Sequence, residues 1–279
     1  MVENLKLKIP NEQRHISIRL SQPNGAIRQL RQLIIIATGL HSHMDKESQL
    51  ETAETYQQAG FTTLQFNFMG HGEGQNKSEG EIKDLTLSSS IKDMKTVWDY
   101  STHIPNIDPE NTAINANSYG ALISLLALEK GLIEPESMTL VAPFSLDKFK
   151  RWVLPLRLLL KLMPNKISKV LNLPVSSTML VDFLKNHTHG MTKKDLLGST
   201  AVHFFVGAED TISSKSDIKR WCETFNSHTP SHTPFIDGIQ SHCTVYEGVP
   251  HFKIPPSVHN DIMVKSINFI RKTRDIRSR

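Results

Sequence analysis

The sequence predicts a mostly parallel, doubly wound α/β sheet that opens on antiparallel strands and is interrupted by one helical insertion. Three observations carry this. Short apolar runs alternate with segments of helical period along most of the chain, the pattern of parallel strands joined by right-handed crossovers. The first two strand-like runs are separated only by turn residues, so they pair antiparallel. One stretch, 144–199, abandons the rhythm and holds short amphipathic pieces punctuated by prolines.

The elements follow in order. Leu5–Ile9 and His15–Leu20 alternate apolar with polar residues around the turn Pro10-Asn11. Leu33-Ile34-Ile35-Ile36-Ala37 is apolar throughout, as a strand covered on both faces must be. A helical period over Ser48–Gln58 stops at Gly60, and the strand Thr62–Phe68 runs into the glycine-broken segment Met69-Gly70-His71-Gly72-Glu73-Gly74. A helix over Leu87–Tyr100, a strand Thr112–Ala116, a helix Tyr119–Leu128 and a strand Met138–Val141 continue the alternation. After the insertion come a strand Val202–Val206, a helix over Ser214–Phe225, a strand Cys243–Tyr246 and a last helix over Asn260–Ile270. Between them, 227–240 with its Thr229-Pro230 and Thr233-Pro234 pairs reads as a surface loop. The expected organisation is one core, 1–143 and 200–279, with 144–199 as a helical cap, or lid, over the carboxyl edge of the sheet.

Length and composition narrow the function classes. A chain of 279 residues holds one large core, and 38% hydrophobic with 22% charged residues is ordinary for a globular protein. The formal net charge of +4 is mild, and its one cluster, Arg271 to Arg279, reads as a solvated, frayed end. No nucleic-acid motif accompanies it, so no nucleic-acid partner is expected. No apolar run reaches the length of a membrane span or a signal peptide, so the expectation is a soluble, cytoplasmic protein without a stable membrane span. The two cysteines, Cys222 and Cys243, lack the spacing of a zinc or redox pair. Neither a metal nor a cofactor is called for, and the sequence leaves the oligomeric state open.

The strongest chemical signal is Ala116-Asn117-Ser118-Tyr119-Gly120, set between an apolar strand and a helix. A serine hydroxyl attacks only when held clear of the backbone and handed to a base. A sharp strand-to-helix turn does the former and needs small residues two before and two after the serine. Ala116 and Gly120 supply them, and the helix start turns N–H groups toward developing negative charge. Ser118 is the candidate nucleophile.

From Leu33 to Gly120 the chain resembles the α/β-hydrolase superfamily, and within it the serine esterases of the feruloyl/cinnamoyl-esterase and monoacylglycerol-lipase-like groups. Phe66-Asn67-Phe68-Met69-Gly70-His71-Gly72-Glu73-Gly74 is similar to that family's aromatic-Asp-x-x-Gly-His-Gly-x-Ser stretch, and Thr38-Gly39-Leu40 stands where it usually has His-Gly-x. The resemblance implies the α/β-hydrolase fold and a triad in the order serine, acid, histidine. On that pattern Asp210, in Gly207-Ala208-Glu209-Asp210-Thr211-Ile212, matches the acid, and His251, in Gly248-Val249-Pro250-His251, matches the base. It implies oxyanion donors at the backbone N–H groups of Tyr119 and Leu40. Thr38, Ala116 and Gly74 depart from the family's usual residues, and none of them removes a catalytic group.

Rivals exist for each place. Glu209 falls one residue early and Asp237 lies in the proline-punctuated loop. His242 comes at the start of a strand, His259 at the start of the last helix, and His71 reads as a structural brace of the glycine turn. His41 and His43 read as substrate contacts or plain loop residues. The expected activity is hydrolysis of a small-molecule carboxylic ester through an acyl-enzyme. A thioesterase or acyltransferase on a carrier-bound acyl group would use the same residues. A binding protein on a hydrolase scaffold is the reading from another class, and a protein held to a membrane surface through the Leu154–Leu162 segment is a further one.

Overall fold

The computed structural model describes residues 1–23, 31–145, 179, 182–183, 200–227 and 241–277. Among these residues eight strands, β1 (Val2–Lys8), β2 (His15–Ser21), β3 (Arg31–Ala37), β4 (Thr62–Phe66), β5 (Ile107–Asn117), β6 (Ser137–Val141), β7 (Ala201–Gly207) and β8 (His242–Tyr246), form one sheet in the order β1-β2-β4-β3-β5-β6-β7-β8. β1 and β2 pair antiparallel, as do β2 and β4; every later neighbour is parallel. Among the described residues the longer helices are α1 (Glu47–Gln58), α2 (Leu87–Ser101), α3 (Ser118–Glu129), α4 (Lys215–Ser227) and α5 (Pro256–Arg277).

The apolar run of β3 serves both faces. Ile34 and Ile36 pack with Ala53 and Tyr56 of α1 and with Met263, Ile267 and Ile270 of α5. Leu33, Ile35 and Ala37 point the other way, into the larger core shared with α2, α3 and α4. Alternating side chains of one strand thus fill two layers, which is why no polar residue interrupts Leu33–Ala37. The chain crosses from β3 to β4 on one side and to β5 on the other, so the carboxyl ends of β3 and β5 meet at a topological switch point, where open α/β sheets place their sites.

Boundaries differ from the expectation where the apolar signal is weak. β1 begins at Val2 because it pairs with β2 along its whole length, from Val2↔Ser21 to Lys8↔His15, while its own residues stay largely exposed. β5 begins at Ile107, which pairs with Arg31 ahead of a register shift. The basic tail is the clearest correction. α5 runs from Pro256, suited to a first helical turn, through Arg277. Thr273 is buried, and Arg271 donates to the Ala59 carbonyl at 2.7 Å, so the segment read as a frayed end is tied to the last turn of α1.

The expected cap, 144–199, lies almost entirely outside the described residues, as do Asp237 and the prolines of the surface loop. Met179 and Phe183 are buried, Phe183 lies 5.6 Å from the Phe144 ring, and Asp182 accepts the Ser88 N–H at the start of α2. Among the described residues no helix is long and apolar enough to cross a membrane.

Candidate active site

Ser118 is the first residue of α3, immediately after Asn117 ends β5, and its φ is +47°. Residues with a Cβ rarely enter this left-handed region, and such strain persists only where the surroundings enforce it. The enforcement is visible on both sides. A Cβ at Gly120 would stand 2.5 Å from the Ala37 carbonyl oxygen and 2.6 Å from that of Thr38, so α3 leaves β5 in contact with the end of β3 only if residue 120 has no side chain. Tyr119, fully enclosed, lays its ring edge against Phe68 and shares a 2.8 Å hydrogen bond with Ser90 of α2. The Phe144 N–H donates to the Ser118 carbonyl at 3.2 Å.

The other two residues arrive from the loops after β7 and β8. The Ala208 N–H donates to Tyr246 O at 2.8 Å and the Glu209 N–H to Val249 O. A Cβ on Gly207 would run into that Val249 carbonyl, so the two loops close only over a glycine. This closure sets the Asp210 Oδ2 2.7 Å from His251 Nδ1, while His251 Nε2 lies 2.9 Å from Ser118 Oγ. A carboxylate only accepts, so Nδ1 carries the proton and Nε2 is free to accept the serine O–H. Burial alone would push the Asp210 carboxyl up. Hydrogen bonds from His251 and from the Ser213 and Ile212 N–H groups outweigh it and hold the group below the usual carboxylate range. Ser213 Oγ also approaches Nδ1, at 3.4 Å.

The structure therefore brings Ser118, Asp210 and His251 into one hydrogen-bonded run and leaves the rivals among the described residues outside it. Glu209 is exposed. His242 belongs to an aromatic cluster with His203 and Phe269, and His259 faces Thr52 of α1 at 3.5 Å. His43 lies 3.5 Å from Glu73 and 3.8 Å from Asp45. Leu40 lies in the turn Gly39–Ser42 that follows β3, closed by the Ser42 N–H on Gly39 O at 3.1 Å. Tyr119 is the second residue of α3, whose first N–H groups have no partner within the helix. Cys222 and Cys243 are both free thiols. No group of three or more metal-binding side chains occurs among the described residues.

Two residues that tie the site's loops together were not singled out in the sequence. Asn67, fully buried, accepts the Met44 N–H at 2.8 Å and donates to Asn76 O at 2.7 Å, so one amide joins the loop after β3 to the glycine-rich segment. Its place in the motif, where the resembling family has aspartate, was the available signal. Ser213, three residues past Asp210, had none.

The site opens into a cleft of about 810 Å³ that runs from Ser118 and His251 between α1 and the start of α5. Its walls mix polar groups such as Thr55, Gln58 and Asn260 with Ile254 and the exposed ring of Phe252.

A sequence model of the family described as serine aminopeptidase, S33, matches residues 28–211. No curated protein matches the sequence. Among solved structures, a putative hydrolase from Agrobacterium vitis S4 is similar at 18% identity, with a TM-score of 0.69 over 97% of this chain and 98% of its own. Ferulic acid-bound Est1E from Butyrivibrio proteoclasticus shares 14% identity, with a TM-score of 0.64 over 96% and 99%. Mouse alpha/beta hydrolase domain-containing protein 10 shares 12%, with a TM-score of 0.68 over 97% and 99%. These likenesses carry the fold, and the family match spans well over half of the sequence: the chain belongs to the α/β-hydrolase family described as serine aminopeptidase, S33.

Proposed function

We propose that this hydrolase is a serine esterase that cleaves a small-molecule carboxylic ester through an acyl-enzyme on Ser118. The observation that carries the reading is the run Ser118 Oγ–His251 Nε2 at 2.9 Å and His251 Nδ1–Asp210 Oδ2 at 2.7 Å, at the mouth of a cleft. Ser118 Oγ attacks the ester carbonyl carbon while its proton passes to His251 Nε2. The carbonyl oxygen takes up the negative charge and is met by the N–H groups of Leu40 and Tyr119. The bond to the alcohol oxygen then breaks, and that oxygen leaves with the proton from Nε2. Water repeats the sequence on the acyl-enzyme: it gives a proton to Nε2, attacks the acyl carbon, and Ser118 departs with that proton, releasing the acid. Asp210 holds the imidazole with Nδ1 protonated and stabilises its positive charge, without taking the proton itself.

The test is hydrolysis of p-nitrophenyl esters from acetate to long acyl chains by the wild type and Ser118→Ala, with an aminoacyl p-nitroanilide as an amide arm. Ester turnover that is lost in the folded Ser118→Ala protein, with fluorophosphonate labelling of Ser118, is the expected result. Turnover of the anilide alone would replace the esterase reading with a peptidase. No turnover and no labelling would leave a binding protein on a hydrolase scaffold.

A further inference from the structure

The glycine-rich segment after β4 reaches across to the loop after β3 through His71. The ring is buried, with Nδ1 2.9 Å from the Met69 carbonyl oxygen and Nε2 3.1 Å from the backbone nitrogen of His41. A carbonyl only accepts and a backbone N–H only donates, so one arrangement satisfies both: a neutral imidazole with its proton on Nδ1 and its lone pair on Nε2. The backbone that carries the ring is held as well: the His71 N–H donates to Phe68 O at 2.9 Å and the Ser78 N–H donates to His71 O at 2.8 Å. Burial, reinforced by the neighbouring His41 and His43, lowers the His71 pKa and so favours this neutral form.

What His71 grips is conformationally unusual. His41 is the third residue of the turn Gly39–Ser42 and has φ +59°, a position that turns normally fill with glycine or asparagine. The peptide His71 holds is the one that joins Leu40 to His41. Rotation of such a central peptide is how a β-turn changes type, and here it would relieve φ of His41 by changing ψ of Leu40. The far end of the same loop is fixed separately, by Asn67 on the Met44 N–H.

We propose that His71 is a positioning residue for the reaction: by accepting the His41 N–H it locks the turn that presents the Leu40 N–H to the oxyanion. Its role is thus in the neighbouring loop as well as in its own glycine turn. The inference rests on the esterase reading for its kinetic test, though not for its structural one.

The variants are His71→Phe, which fills the ring's space without an acceptor, and His71→Gln, whose carbonyl can accept the His41 N–H. With p-nitrophenyl esters, His71→Phe should lower kcat about 10- to 100-fold, the scale of a misplaced donor, and change KM little. The inhibition constant of a trifluoromethyl ketone, whose adduct carries the oxyanion, should rise in parallel with the loss in kcat. His71→Gln should recover most of both. A folded His71→Phe with wild-type kcat, or a loss shared equally by Phe and Gln variants, overturns the proposal. Should the Phe variant not fold, the wild type decides by 15N spectroscopy at pH 7. Nδ1 protonated and Nε2 unprotonated supports the clamp, and a protonated Nε2 overturns it. That spectrum reads the clamp even if no ester is hydrolysed, so its failure and that of the esterase reading are distinguishable.

Discussion

Replacing His203 by phenylalanine should flatten the dependence of stability on pH between about 7.5 and 5. His203 lies in β7 on the face covered by α5, 8% exposed, stacked on Phe205 with ring centroids 4.0 Å apart and edge-on to Phe269. Its Nε2 is 2.9 Å from Thr244 Oγ1, and its Nδ1 has no hydrogen-bond partner among the described residues. Burial first, then the nearby His242 and Lys265, push the imidazole down from 6.5 to about 4. The unfolded chain therefore takes up the proton first as pH falls. Stability from this group is complete above 6.5, declines below it, and is lost once pH has fallen through the folded value near 4. At 1.36 kcal/mol per pH unit the whole effect is about 3 kcal/mol, and about 2 kcal/mol of it is lost by pH 5. His242 is shifted in the same direction by burial and Lys272, so the wild-type slope contains more than His203 alone. The difference between wild type and His203→Phe isolates it. Phenylalanine joins the same aromatic stack, and whatever it costs by leaving Thr244 Oγ1 without the ring nitrogen does not vary with pH. Urea midpoints at constant m, measured from pH 7.5 to 5, should fall less in the variant by the equivalent of about 2 kcal/mol. Parallel curves for the two proteins would show that His203 is protonated as readily in the folded state as in the unfolded one.

Three further substitutions follow from contacts at or near the site. Asp210→Asn should leave the fold intact and lower kcat by about 10³- to 10⁴-fold with little change in KM, because the amide no longer enforces the Nδ1–H tautomer; steady-state kinetics with a p-nitrophenyl ester checks it. Gly120→Ala forces a methyl group onto the Ala37 and Thr38 carbonyls and should cost about 2–3 kcal/mol in urea unfolding, together with loss of Ser118 labelling by fluorophosphonate. Asp93→Ala strips the Arg14 guanidinium of a buried partner 2.6 Å away and frees the Met69 N–H that Asp93 also holds. Because Glu12 still pairs with Arg14, the loss should fall at the low end for a broken buried pair, about 3 kcal/mol by urea midpoint.

The parallel core was legible because its signals are local. A five-residue apolar run with three isoleucines is too short for a helix and rich in β-branched residues, which marks it as a strand buried on both faces, and β3 splits its side chains between two cores. Where packing is contributed by another element, the sequence is silent. The outer half of β1 has only the edge of the alternating run Met1 to Lys8 to mark it, since it is fixed by pairing with β2 and not by burial. The polar end of α5 reads as solvent-exposed, yet Arg271 on the Ala59 carbonyl and the buried Thr273 extend the helix by two turns. In both cases what decides the structure is a partner distant in sequence.

The same division runs through the site. Ser118 could be singled out because its constraint is written in adjacent residues: a strand, a strained residue and a helix need small neighbours, and Gly120 has room for no side chain. Asp210 and His251 came from the order of elements in a resembling family. The loop closure that brings them to hydrogen-bonding distance depends on Gly207 meeting Val249, forty-two positions away, which no local pattern announces. His71 is the extreme case. Read along the chain, it is one histidine between two glycines, and bracing its own turn is the economical assignment. Only the fold shows that its acceptor nitrogen meets the amide of His41, thirty residues earlier, in a loop whose own sequence gives no sign of a left-handed residue. A residue whose own turn is strained, as Ser118 is, leaves short-range marks because the strain dictates its neighbours. Residues that hold others in place leave long-range ones, and those are read from hydrogen-bond partners in the folded chain.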